Sequence, residues 1–261
     1  MRTSRVVGES PHVAIRAVRC TDQHAGWSEP ELSGAAHVVL VRRGRFELHA
    51  RGRRLTADPT SGYLWPAGQE VRFAHPAGGD VCTSITLSGE EATNGAGAAS
   101  FSAIRLDARL ELAHRMLLRA GDDPDFAAVE AALDVVELAM RRQPDDAPAP
   151  GRFELAERAR EAIVADEPAA SGLIELARHL ETAPSHLSRT FRHHVGMSIS
   201  RYRNRVRVSR ALQHLEEGET RLADLAFSLG FSDQAHFTRV MRRELGRSPG
   251  RVHGMLAGGS A

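Results

Sequence analysis

The sequence predicts an α+β chain: a small β-barrel with a helix pair, followed by an all-α domain built from two helix-turn-helix units in tandem. Three observations carry the prediction. The first hundred or so residues break into short runs of alternating apolar residues punctuated by Gly, Pro and Asp. Two patterns of short apolar helix, tight turn and Arg-bearing helix recur at residues 171–195 and 220–245. A stretch rich in Pro and acid, residues 143–151, separates the two regions as a semi-extended linker.

In the β region, Val13, Ile15 and Ala17 alternate with less apolar neighbours. The run Val38 to Val41 ends at Arg42-Arg43-Gly44, and Phe46, Leu48 and Ala50 alternate with Glu47 and His49. Further runs lie at residues 62–65, 71–74 and 81–87. Turn signals fall between them at Arg51-Gly52, Asp58-Pro59, Pro66-Ala67-Gly68, His75-Pro76 and Gly78-Gly79. Strands at this spacing predict a sandwich or barrel, and a small barrel can hold one ligand. Tyr63 and Trp65 are open to two readings, as cavity lining or as packing. Residues 90–100 are Gly/Ala-rich and read as a loop. Helices are predicted over 107–120 and 125–142, joined by a turn at 121–124. This helix pair either forms a dimerisation surface or packs on its own domain.

Composition narrows the function classes. The 42% apolar and 26% charged fractions are those of an ordinary soluble globular protein. No apolar run is long enough to span a bilayer, so no membrane partner is expected. Residues 1–10 contain no apolar segment of signal-peptide type. Cys20 and Cys82 make no disulfide framework, which points to a reducing cytoplasm. All 34 basic residues are Arg, each able to make planar bidentate contacts. Residues 1–150 carry 17 Arg against 20 acidic residues, net −3; residues 151–261 carry 17 against 13, net +4. Residues 182–215 hold Arg189, Arg192, Arg201, Arg203, Arg205, Arg207 and Arg210 with no acid at all. Such a stripe is an electrostatic footprint for phosphate.

In the second unit Thr220 is the expected N-cap, and Leu222, Leu225, Ala226 and Leu229 form the apolar face. Gly230 suits a left-handed stop, and Ser232 is expected to cap the next helix with Asp233 in its first turn. On that helix Phe237, Val240, Met241 and Leu245 face inward, leaving Gln234, Ala235, His236, Thr238, Arg239 and Arg242 elsewhere. Gln and Arg can read adenine and guanine bidentately, and Thr can meet a thymine methyl. In the first unit Ser171 caps a helix with Leu173, Ile174, Leu176, Ala177 and Leu180 apolar. Residues 181–184 turn, and the helix 185–195 buries Leu187, Phe191 and Val195, leaving Ser185, His186, Ser188, Arg189 and Arg192 for double-stranded DNA. The helix between the units, residues 198–215, is roughly 27 Å long. It would hold the two recognition helices about one DNA turn, near 34 Å, apart.

The string from Leu222 through Gly230-Phe231-Ser232 to Ser248-Pro249, together with the Arg201 to Leu212 helix, resembles the AraC/XylS family of bacterial transcription regulators. The resemblance covers residues 152–256; it departs at Met241, Leu245 and Val252, where aromatics are frequent. It implies that Ser185, Ser188, Arg189, Gln234, Thr238 and Arg239 face DNA. Residues 35–90 resemble more loosely the cupin-like arm that binds effectors in some members. The segment from His75 to Thr83 looks like a family pattern without an evident chemistry. Domains are therefore expected at 1–142 (cupin-like, effector-binding or dimerising), 143–151 (linker) and 152–261 (DNA-binding). The resemblance implies association with the nucleoid when DNA is bound. It leaves a small-molecule effector and a homodimer open, and RNA polymerase would be the partner of an activator.

A metal-dependent cupin enzyme is the rival from another class. It would need a His-x-His set with a carboxylate and a further His. His37, His49 and His75 are not so spaced, although Glu70 and Cys82 could be added. His193-His194 reads as a phosphate-side or solvated pair. No phosphate-binding Gly loop or nucleophile elbow occurs. The expectation is a non-enzyme without catalytic residues, metal or cofactor. An architectural DNA binder remains the alternative.

Overall fold

Alternation along the N-terminal region resolves into antiparallel strands in the computed structural model, which describes residues 1–89, 101–119, 127–141 and 153–257. The strands are β1 (Arg2–Glu9), β2 (Val13–Cys20), β3 (Glu31–Leu32), β4 (Ala36–Arg43), β5 (Phe46–Ala50), β6 (Arg53–Ala57), β7 (Ser61–Trp65), β8 (Glu70–Ala74), β9 (Asp80–Leu87) and β10 (Ser102–Arg105). One sheet runs β1-β2-β9-β4-β7-β10 and the other β3-β8-β5-β6. Strand β4 shows why Val38 to Val41 reads as an unbroken apolar run. Val38 and Leu40 face one core with Ile15, Leu64, Ile85 and Ile104, while Val39 and Val41 face another with Phe46, Leu48, Tyr63 and Phe73. A strand covered on both faces has no polar side to alternate with.

The first of those cores is closed by helices α1 (Ala108–Leu117) and α2 (Ala127–Met140). Asp107 caps α1, its carboxylate accepting the Leu110 N–H at 2.8 Å. Leu110 and Leu117 of α1 and Ala128, Ala132 and Val135 of α2 pack onto the sheet, so the helix pair does cover its own domain. The expected turn at 121–124, the loop at 90–100 and the linker at 143–151 lie outside the described residues.

The C-terminal helices are α3 (Phe153–Val164), α4 (Leu173–His179), α5 (Pro184–Val195), α6 (Ile199–Glu216), α7 (Leu222–Ser228), α8 (Gln234–Leu245) and α9 (Pro249–Ala257), with a 3-10 turn at Pro168–Ser171. The chain divides into two compact units, Met1–Pro144 with Ser209–Ala261, and Asp145–Val208. Within the smaller unit Ala159, Ile163, Leu176, Leu187, Phe191 and Tyr202 build the core. Ile174 does not join it: at 59% exposure it faces solvent, and Leu173 is 40% exposed, so the apolar face of α4 is narrower than expected. In the larger unit the α7–α8 pair shares a body with the β region. There α1 packs against α8 and α9. Arg115 on α1 is the pivot of a buried clamp. It donates to Glu111 at 2.9 Å, to Glu216 at 2.5 Å and to the Ser209 carbonyl at 3.4 Å, while the Ser209 hydroxyl donates to Glu111 at 2.7 Å.

Candidate nucleic-acid interface

Each second helix of a pair is set by its ends. Gly196, Gly230 and Gly246 adopt φ of 72°, 73° and 73°, the left-handed conformation that stops a helix and that side chains resist. The N-caps differ from the expected ones by one residue. Asp233, not Ser232, caps α8: its carboxylate accepts the His236 N–H at 2.6 Å. Ser232 supports that cap, donating to Asp233 at 3.1 Å and contacting His236 Nδ1 at 3.1 Å. The carboxylate wins because a charged acceptor matches the positive helix end better than a hydroxyl does. The same N–H from His236, and then the Ser232 hydroxyl, hold the Asp233 carboxyl below its ordinary pKa. Arg221 rather than Thr220 precedes α7, and Gly172 rather than Ser171 precedes α4, both without a side-chain cap. Helix α5 starts at Pro184, whose fixed φ suits the first helical position, so Ser185 lies inside the helix.

With the ends set, the two helices sort their residues alike. On α8 Phe237, Val240, Met241 and Leu245 are buried. Gln234, Ala235, Arg239 and Arg242 are exposed, and His236 and Thr238 half-buried. On α5 Leu187, Thr190 and Phe191 are buried. Ser185, His186, Arg189 and Arg192 are exposed, and Ser188 half-buried. Val195, expected in the core, is half-buried. Every sequence-predicted contact residue is thus at least partly accessible on its own helix. The acid-free Arg stripe is less uniform than its sequence implies. Arg205 is buried, Arg203 donates to the Ser171 carbonyl, and of the α6 arginines only Arg201 is classed as exposed. Part of the stripe is therefore structural. Phe227 on α7 is 83% exposed.

The β region contributes a cavity of about 420 Å³, lined among others by Arg2, Arg16, His37, Tyr63 and Trp65. Both readings of the two aromatics hold, since each is buried in the core and also lines the cavity. The indole N–H of Trp65 donates to the Gln69 carbonyl at 2.7 Å. His37 contacts the Ser33 hydroxyl at 2.6 Å and Ser84 at 3.3 Å. Burial first, then Arg16 and Arg2, push its pKa down to about 4.

Each of the two compact units thus holds a helix-turn-helix pair whose second helix has a polar outer face. A family model described as a helix-turn-helix domain matches residues 176–254. The transcriptional activator RhaS of Escherichia fergusonii is 38% identical over 66 residues, 25% of this chain and 24% of that protein. RhaS of Escherichia coli O9:H4 is 38% identical over 63 residues, 24% and 23% of the two chains. The chain thus spans about a quarter of the length of the curated relatives it matches. Among solved structures, ToxT from Vibrio cholerae O395 aligns over 95% of this chain and all of its own, with 12% identity and a TM-score of 0.40. The C-terminal domain of AraT from Geobacillus stearothermophilus aligns over 41% of this chain and 85% of its own, at 24% identity and a TM-score of 0.36. Likenesses that distant carry no argument. The local sequence match does: residues 176–254 form a helix-turn-helix domain.

Proposed function

We propose that this chain is a sequence-specific DNA-binding transcription regulator whose β-barrel serves as its control domain. The observation that carries the reading is the matched pair of helices α5 and α8. Each is sealed by a left-handed glycine and buries one face while leaving Ser, Gln, Thr and Arg residues accessible on the other. In this reading Ser185, His186, Ser188, Arg189 and Arg192 of α5 meet one major groove, and Gln234, His236, Thr238, Arg239 and Arg242 of α8 meet the next. Arginines supply phosphate affinity, and the early helix residues supply base readout. The cavity of the barrel is the place for an effector, and a second copy of the chain and RNA polymerase are the further partners the reading calls for.

A binding selection from random and genomic DNA with the full chain tests the proposal. The expected result is an enriched motif of two half-elements about one helical turn apart. Salt-sensitive binding without any enriched sequence would favour the architectural reading instead. Within an enriched motif, Arg239→Ala should weaken specific binding by about 1–3 kcal/mol and relax one position. An equal loss on all sequences would assign Arg239 to phosphate.

A further inference from the structure

The segment from His75 to Thr83 has a partner far away in sequence. Strand β2 ends at Cys20 and β9 begins at Asp80, and the two residues are cross-strand partners. Directly opposed residues share a face of the sheet. The turn between β8 and β9 brings His75 onto the same spot. Gly79 lies so close to β2 that a Cβ there would sit 2.2 Å from the Cys20 carbonyl oxygen. Gly44, at φ +83°, approaches the Gly79 carbonyl from the other side, its Cβ position 2.5 Å away. Only glycines permit this approach. As a result the Cys20 sulfur, a His75 ring nitrogen and an Asp80 carboxylate oxygen all lie within 4.8 Å of one another. All three residues are buried and line the barrel cavity.

Hydrogen-bond accounting shows what this cluster lacks. His24 Nδ1 is 2.7 Å from the Gly26 carbonyl. A carbonyl only accepts, so a neutral His24 carries its proton on Nδ1 and offers Nε2 as an acceptor. His24 Nε2 lies 3.2 Å from His75 Nδ1, which must therefore donate. The proton of a neutral His75 is then spent on Nδ1, and the Nε2 lone pair faces Asp80 Oδ1 at 3.1 Å. Two lone pairs aimed at each other inside a protein need a proton or a metal cation between them. Zinc satisfies this geometry, since nitrogen and oxygen ligands each about 2.0–2.1 Å from a tetrahedral ion stand roughly 3.3 Å apart.

We propose that Cys20, His75 and Asp80 form a binding site for a thiolate-preferring divalent cation of the zinc class, with His24 orienting His75. One sulfur, one nitrogen and one oxygen donor suit zinc or cobalt and not calcium or magnesium. The ring N–H to His24 is the outer-shell hydrogen bond that metal-bound imidazoles make. The fourth position opens toward the cavity. On binding, the Cys20 thiol, which donates to Asp22 at 3.4 Å, releases its proton to solvent as the sulfur–metal bond forms. Cys82 lines the same cavity and its thiol donates to Asp80, but it is not one of the three clustered ligands.

The test is a cobalt titration of the full chain after chelator treatment. One equivalent should bind with a sulfur-to-cobalt charge-transfer band and tetrahedral visible bands, and zinc should displace it. Cys20→Ser should lose the charge-transfer band, and Cys82→Ser should keep it. Cys20→His should retain one metal without that band, separating lost ligation from lost folding. His24→Gln should weaken zinc affinity about 10–100-fold. Zinc should raise the thermal midpoint of the wild type and leave that of Cys20→Ser unchanged, both having been shown to be folded in chelator. A folded wild type that binds no cobalt, or a spectrum that survives Cys20→Ser, overturns the proposal; survival would place the metal elsewhere, as at His193-His194.

Discussion

Two buried polar clusters lie within the same compact unit and invite comparison. In the clamp around α1, Arg115 is buried to 2% exposure and Glu111 completely, yet every charge is answered. Glu111 accepts from Arg115 and Ser209, and Arg115 reaches Glu216 and a backbone carbonyl as well. In the barrel, the relay from Gly26 through His24 and a neutral His75 delivers no proton to Asp80, which accepts from the Cys82 thiol. Burial is similar and composition overlaps, so neither feature separates a structural cluster from a binding one. The donor and acceptor count does. In the clamp each charge faces an opposite charge, and the barrel cluster has a lone pair, a carboxylate and a thiol.

The largest effect should come from breaking the clamp. Arg115→Ala leaves Glu111 and Glu216 without their shared cation and should cost about 3–5 kcal/mol, read as a lower urea midpoint. A loss below about 1 kcal/mol would mean that water reaches those carboxylates and that the clamp is not the sealed counterpart of the barrel cluster.

His37 gives a third way of treating a buried polar group, since burial holds it neutral. Its folded pKa of about 4 lies below the ordinary value of about 6.5, so the unfolded chain binds the proton more readily. Its contribution to stability is therefore intact above about pH 6.5 and is lost as pH falls toward 4, by at most about 3 kcal/mol. His114, completely buried and pushed down by burial and then by Arg42 and Arg115, works in the same direction. Urea unfolding at pH 7 and pH 5 should show the loss, and His37→Gln should reduce the slope without abolishing it. An unchanged slope would assign the acid sensitivity to His114 and the clamp.

What the sequence discloses about these regions follows from range. Helix stops were legible because Gly196, Gly230 and Gly246 act locally, and the outer faces of α5 and α8 were legible as what remains once the apolar period is removed. The runs that became β2, β4, β5, β7, β8 and β9 alternate or are apolar throughout. Strands β1, β3, β6 and β10 escaped notice; the first five residues of β1, Arg2 to Val6, are all exposed edge positions without an alternating pattern. Each cap falls one residue later than expected: Asp233 outcompetes Ser232 within one turn, while Arg221 and Gly172 open their helices without a side-chain cap. The barrel cluster was illegible for a different reason. His75 and Cys82 were weighed as ligands, but Cys20 and Asp80 become neighbours only through the β2–β9 register.

The smallest change cuts closest to the comparison. Asp80→Asn replaces one acceptor-only oxygen with an N–H donor of nearly the same shape. That amide can donate to His75 Nε2 and supply without a cation what the relay lacks. In chelator at pH 8, where a free imidazole is neutral, the variant should be as stable as the wild type or more stable by about 1 kcal/mol. Added zinc should then raise the wild type and leave the variant unmoved, because an amide oxygen is a poor zinc ligand beside a carboxylate. Should Asp80→Asn instead lose about 3 kcal/mol or more in chelator, His75 and Asp80 would hold a proton between them as an ion pair. The barrel cluster would then be as fully answered as the clamp, and the difference between the two regions would vanish.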